Sequence, residues 1–202
     1  MSQIALPLRI EGSTGSATIV LGNANRTVVE ALSDPSAWPY RTAVLAGPPR
    51  SGKTMLGKWA NGQGVRVIDG VDAVSEDEVF HRWNAAQEDG KPLLLITDTQ
   101  PWEIALPDLK SRLGAALQLQ IGVPDDEMAA QLIETLALQR GLTLADGATD
   151  YLVPRAERSF AGLEQLVAAI DRLSLERKAP ATMSVWRDAL DQTIGPEQAR
   201  LL

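Results

Sequence analysis

Gly47-Pro48-Pro49-Arg50-Ser51-Gly52-Lys53-Thr54 decides the fold of this 202-residue chain, because it fits G-x-x-x-x-G-K-[ST] without a mismatch. The spacing has a physical reason. Glycines let the backbone curl until successive N–H groups point inward at phosphate oxygens, and a helix starting near Gly52 adds the positive end of its dipole. Lys53 then reaches the β- and γ-phosphates, and the Thr54 hydroxyl ligates Mg2+. The competing reading is a Gly/Pro turn whose lysine is merely exposed. The flanks argue against it: Thr42-Ala43-Val44-Leu45-Ala46 is an apolar strand directly before the loop, and Met55-Leu56-Gly57-Lys58-Trp59-Ala60 continues as a helix directly after. Gly47, Pro48, Pro49, Arg50, Ser51, Gly52, Lys53, Thr54 and Met55 are therefore read as nucleotide-binding, for ADP or ATP with Mg2+ as a possible companion.

Outward from the loop, Val65-Arg66-Val67-Ile68, Leu93-Leu94-Leu95-Ile96 and Leu117–Ile121 are further apolar runs separated mostly by helical stretches. That alternation predicts an α/β fold, a parallel sheet with crossover helices. From Pro124 the pattern turns helical. Met128, Leu132, Ile133 and Leu136 share one face behind the N-cap candidate Asp125, with Gly141 as a stop. Phe160, Leu163, Leu166, Val167, Ile170 and Leu173 form a second stripe. A third helix is expected over 145–155 and a fourth after Thr182. The expected division is a tail over 1–12, an α/β subdomain over 13–123 and a helical lid over 124–202, with Pro124 as hinge.

Composition removes several classes of function. Acidic residues outnumber Lys plus Arg by 26 to 19, for a formal charge of −7, so a basic groove for duplex DNA is not expected. Cysteine is absent and His81 is the single histidine, which excludes disulfides, thiolate zinc and polyhistidine sites. An apolar content of 45% is enough for a real core. No run approaches the ~18 apolar residues of a membrane span, and Met1-Ser2-Gln3 lacks the basic start of a signal peptide. The chain reads as soluble and cytoplasmic.

A phosphate-loop enzyme also needs an aspartate at the end of a neighbouring strand for its magnesium shell. Asp69, after Val65–Ile68, and Asp98, after Leu93–Thr97, both qualify, and spacing does not choose between them. Asp69 is followed by Gly70 rather than a second carboxylate. No general base stands where many ATPases keep one, so slow intrinsic hydrolysis is expected.

Several segments together resemble the AAA+ family of the replication initiator DnaA and its shorter regulator Hda. Phe80-His81-Arg82-Trp83-Asn84-Ala85, Glu88-Asp89-Gly90-Lys91 and Ile96-Thr97 look like the family's stretch between Walker B and sensor I. Leu106-Pro107-Asp108-Leu109-Lys110-Ser111-Arg112-Leu113 looks like its segment ending in Ser-Arg-hydrophobic, and Ile19–Asn25 like the stretch that contacts adenine. The likeness spans nearly all of residues 3–190. It implies that Asp69 is the Walker B residue holding Mg2+ through water, that Leu93–Thr97 is the sensor I strand, and that Gly22 and Asn25 lie at the nucleotide. It also implies that Arg112 is an arginine finger inserted into a partner's site, a device worth about 10³–10⁵ in rate. Read without the resemblance, Arg112 is a surface arginine pairing with Asp108 one turn away.

Gln3-Ile4-Ala5-Leu6-Pro7-Leu8 resembles the peptide by which Hda docks on the DNA polymerase sliding clamp. Pro7 favours an extended backbone, Leu6 and Leu8 suit an apolar pocket, and the Gln3 amide offers one oriented hydrogen bond. Taken alone, an ordinary first strand is the plainer reading; together with the other matches, the docking peptide is preferred. The family's initiator carries a C-terminal helix-turn-helix domain, and this chain ends before one would fit.

Three departures stand out. Only sixteen positions separate Lys53 from Asp69, so the sheet is expected to lack one edge strand–helix unit. Thr97-Asp98-Thr99-Gln100 is off the sensor I pattern. At the sensor II position stands Ala161, with Arg158 offset by most of a turn, which weakens discrimination between ATP and ADP. The resemblance thus implies a clamp-docked regulator that promotes hydrolysis of ATP on the initiator DnaA, with no sequence-specific DNA contact, no membrane and possible self-association. A degenerate adaptor without catalytic effect, and a self-sufficient P-loop NTPase or kinase, are the alternatives.

Overall fold

The computed structural model describes residues 18–98 and 101–194. Gln3, Leu6, Pro7 and Leu8 of the docking peptide, and Thr99 and Gln100 of the sensor I stretch, lie outside the described residues. The described chain forms two compact units, one of residues 18–19 and 25–122 and one of residues 20–24 and 123–194.

The first unit is built on four parallel strands, β1 (Thr42–Ala46), β2 (Arg66–Asp69), β3 (Leu93–Thr97) and β4 (Leu117–Gln120), in the order β2-β3-β1-β4. Helices α1 (Arg26–Ser33), α2 (Lys53–Gly62), α3 (Glu76–Glu88) and α4 (Pro107–Gly114) accompany them. Strands β1 and β3 are buried at every position, which is why both read as unbroken apolar runs: a parallel strand covered on both faces has no polar side to alternate with. Val44, Ile68, Leu93 and Leu95 pack with Val79, Trp83 and Ala86 of α3 and Leu109 and Leu113 of α4. On the other face, α2 lies close to the sheet at Gly57, where an added Cβ would come within 2.7 Å of Ile96 Cδ1 and 3.2 Å of Val67 Cγ1. Glycine is the residue that lets helix and sheet approach so closely.

The short span between Lys53 and Asp69 accommodates α2 and then β2 with no further strand between them, so the described sheet has four strands with β2 at one edge.

The second unit gathers α5 (Asp126–Gln139), α6 (Ala148–Leu152), α7 (Phe160–Arg177) and α8 (Met183–Ile194). Asp125 caps α5 by accepting from Met128 N at 2.9 Å, and Ser159 caps α7 by accepting from Gly162 N at 2.9 Å. The core comes from Ala129, Ile133 and Ala137 of α5, Leu152 of α6, Leu163 to Leu173 of α7 and Trp186 and Leu190 of α8. Two expectations need correcting. Leu132 and Leu136 lie at the flank of this core, and Met128 packs on Gly22 instead. The helix expected over 145–155 is reduced to Ala148–Leu152, beginning after Gly147 at a φ of 77° and ending ahead of Pro154, which has no N–H to extend it.

Candidate functional site

Strand β1 delivers the chain into the phosphate loop, and α2 carries it away from Lys53. Gly52 makes the turn at a φ of 88°, and Leu56 N closes the first helical bond on its carbonyl at 3.0 Å. Gly47 is needed for another reason: a Cβ there would meet Ile121 at 2.8 Å and Ser51 Oγ at 3.2 Å. Arg50 adopts a φ of 64°, a left-handed conformation that an L side chain occupies only at a cost.

The Lys53 side chain is only 8% exposed, and its ammonium donates to the carbonyls of Gly47 at 2.7 Å and Pro48 at 2.9 Å. The same Nζ stands 2.9 Å from Asp98 Oδ1. The Asp98 side chain is 73% exposed, so solvent screens the pair and its net contribution is about 0–1 kcal/mol. Beside it, Ser51 Oγ is buried with no hydrogen-bond partner. An orphaned hydroxyl, a cation aimed back across the loop and the N-terminal N–H groups of α2 are what a polyphosphate satisfies, so the loop's residues fit a phosphate group.

The strand order separates the two candidate aspartates. Thr97 of β3 pairs in register with Ala46 of β1, so Asp98, the next residue, arrives one strand away from the loop. Asp69 ends β2, whose register partner on β3 is Ile96, and so lies two strands away at the same end of the sheet. Asp98 is the carboxylate that touches Lys53, while Asp69 and Thr54 are both exposed. A third acidic group, not legible from spacing, joins them: Asp72 accepts from Thr97 Oγ1 at 2.5 Å and from Asp98 N at 2.8 Å, and thereby orients the end of β3. No group of three or more His, Cys, Asp or Glu suited to a metal ion occurs among the described residues.

Gly22 belongs to the second unit, where an added Cβ would meet Met128 at 2.7 Å. Asn25 belongs to the first, is buried at 2% exposure, and its carbonyl accepts from Val29 N at 2.9 Å. Arg158, the offset cation near Ala161, is held by Asp126 at 2.6 Å.

Arg112 lies in the last turn of α4, half-buried. It does not turn to Asp108. Its Nη1 donates to Asn84 Oδ1 at 2.6 Å, and the guanidinium carbon stands 4.6 Å from the Phe80 ring centroid and 4.4 Å from that of Trp83. Residues at i, i+3 and i+4 share one helix face, so the spacing of Phe80, Trp83 and Asn84 was the signal for a common partner. What that partner was could not be read from spacing.

A family model described as the lid domain of Hda matches residues 125–190. Over 120 residues the chain is 30% identical to the chromosomal replication initiator protein DnaA of Lactiplantibacillus plantarum, covering 57% of this chain and 26% of that protein. Over 116 residues it is 32% identical to an uncharacterized protein of Haemophilus influenzae, covering 56% of this chain and 50% of that one. The chain thus spans half or less of the curated relatives it matches. Its fold is similar to domain III of the Thermotoga maritima replication initiation protein DnaA, with a TM-score of 0.69 at 15% identity, covering 87% of this chain and 95% of that one. It is likewise similar to AMPPCP-bound DnaA from Aquifex aeolicus, with a TM-score of 0.59 at 22% identity over 86% of this chain and 69% of that one. No helix among the described residues is long and apolar enough to cross a membrane.

Proposed function

We propose that the chain is an Hda-like, DnaA-related AAA+ protein and, from that premise, a nucleotide-holding regulator of replication initiation that acts on the ATP-bound initiator DnaA. The observation that carries this reading is the pairing of an intact phosphate loop with an arginine in the last turn of α4, within one compact unit.

Bound ADP or ATP would supply phosphates for the N–H groups of residues 47–55, the Lys53 ammonium and the orphaned Ser51 hydroxyl. Thr54 would ligate Mg2+, with Asp69 holding its water shell. Lys53, which donates to the loop carbonyls and stands beside Asp98, would be free to turn those bonds toward phosphate. Intrinsic turnover is slow, because Gly70 follows Asp69 and no second carboxylate is there to orient water. With Ala161 at the sensor II position and Arg158 already paired to Asp126, the second unit has little with which to tell ATP from ADP.

Arg112 is the finger offered to the partner's γ-phosphate, where a fixed positive charge stabilises the transition state. The peptide Gln3–Leu8 would dock the protein on the sliding clamp, in the cytoplasm, where the replisome works.

The test is to mix the full chain with clamp and ATP-bound DnaA and follow phosphate release. Wild type accelerates hydrolysis, whereas Arg112→Ala binds clamp normally and loses the acceleration by about 10³-fold or more. Normal stimulation by that variant sinks the finger assignment. A binding-only adaptor is the second reading, favoured by the intramolecular bonds that Arg112 already makes. It is distinguished by partner binding without any change in hydrolysis in the same assay.

A further inference from the structure

Among the described residues, strand β2 has a neighbour on one flank only, the parallel strand β3. Backbone polar groups alternate between the two flanks along a strand. Arg66 N donates to Pro92 O at 2.8 Å, on the β3 side, so Arg66 and Ile68 turn their N–H and C=O groups to β3 and Val67 turns its own outward. Val65, just ahead, is already satisfied: its N–H reaches Ala60 O at 3.2 Å and its carbonyl accepts from Asn61 Nδ2 at 3.2 Å. The end of α2 thus closes the edge as far as Val65, and the edge opens at Val67. A strand with unpaired backbone groups is a template for one more strand.

The edge also has walls. A cavity of about 360 Å³ lies there, bounded by Asn61 at the end of α2, by β2 and by Arg82 and Ala85 of α3. Its two sides differ chemically, because side chains alternate across a strand. Val67 points to the α2 side, where its Cγ1 stands 3.2 Å from the position of a Cβ on Gly57. Ile68 packs on the other face with Val79 and Ala86 of α3, and Arg66, two residues before it, shares that face. The α3 side therefore carries two guanidiniums, those of Arg66 and Arg82, beside an α2 side that presents Val67. Arg66 pairs with Asp89 and Arg82 with Glu78, but all four side chains are about half exposed, so solvent screens these pairs and another carboxylate exchanges into them at little cost.

We propose that the open edge of β2 takes up an extended segment of a partner protein as an added strand, and that this segment alternates acidic with apolar side chains. Main-chain bonds to Val67 hold the segment, its carboxylates reach Arg66 and Arg82, and its apolar side chains cover Val67. Backbone pairing supplies the affinity in this mode of recognition, and the unlike walls supply the selectivity.

Two measurements on the full chain test this, with a dye-labelled Glu-Val-Glu-Val-Glu peptide and its Lys-Val-Lys-Val-Lys counterpart as probes. In the first, amide hydrogen exchange is followed by NMR. The acidic peptide, at about ten times its Kd, slows exchange at Val67 about tenfold and leaves Ile68, already bonded to β3, unchanged. Exchange at Val67 that does not respond to bound peptide overturns the proposal. A Val67 amide already protected in the free chain overturns it as well. Release by deleting residues 1–17 then assigns the edge to the chain's own N-terminal segment, and release by dilution assigns it to a second copy.

In the second, fluorescence anisotropy gives the affinity for each peptide, after thermal unfolding has shown that each variant folds. Wild type prefers the acidic peptide by about tenfold or more, as expected for bonds to charged groups. Arg82→Glu reverses the preference, and Arg82→Gln, which places no charge there, reduces it without reversing it. No binding of the acidic peptide at millimolar concentration, equal binding of both peptides by wild type, or a preference that survives both substitutions overturns the proposal.

Discussion

Arg50 is where local chemistry and conformation disagree most openly. Its φ of 64° lies in a region that costs an L residue about 1–2 kcal/mol and costs glycine nothing. Part of that relief is returned to the unfolded chain, which gains freedom when glycine is introduced. Arg50→Gly is therefore expected to stabilise the protein by up to about 1 kcal/mol, read as a higher denaturation midpoint at unchanged slope. A lower midpoint would mean that the arginine side chain contributes more than its backbone costs. Lys53 shows the complementary case, a residue type fixed by its motif whose partners were not legible. The motif marks it for phosphate, while its carboxylate neighbour Asp98 is brought 2.9 Å away by strand order. Arg112 was legible as a candidate through Ser111-Arg112-Leu113, but its hydrogen bond to Asn84 bridges residues 28 positions apart.

Among the elements, the phosphate-loop strand was the plainest in the sequence: Thr42–Ala46 is observed over the residues expected. Five consecutive apolar or β-favouring residues ahead of a glycine leave few alternatives. The ends of β2 and β4 shifted by a residue, because hydrogen bonding to β3 and β1 sets where pairing stops. Helix α5 shows why a stripe is not yet a core. Its face was read from the large side chains, but the buried contacts fall on Ala129, Ile133 and Ala137, where small residues let α7 approach. Ile133 is fully buried at the centre of that face. Ile133→Ala is expected to cost about 2–5 kcal/mol, the loss of transfer energy plus the cavity left behind. Chemical denaturation checks this, and a cost below 1 kcal/mol would mean that the helices close the gap.

For the whole molecule, the proposed labour is divided between a docking peptide, a nucleotide-holding sheet unit and a helical unit. Deleting residues 2–8 is expected to abolish clamp binding while leaving ADP affinity unchanged, as calorimetry with each ligand in turn would register. Retained clamp binding would assign that contact elsewhere in the chain. The sequence by itself determined the presence of a phosphate loop, the α/β alternation, the helical C-terminal region and the absence of cysteine chemistry, because each of these depends on residue types at short, regular spacing. It also limited the sheet, since the sixteen positions from Lys53 to Asp69 leave no room for an additional strand and helix. Only the tertiary structure decided that Asp98 meets Lys53 while Asp69 stands a strand further out, and that Arg112 rests against the rings of Phe80 and Trp83. Those facts depend on β3 inserting between β1 and β2 and on α3 packing beside α4. Such long-range pairings are selected by the burial of whole faces, and no local pattern of residues encodes them.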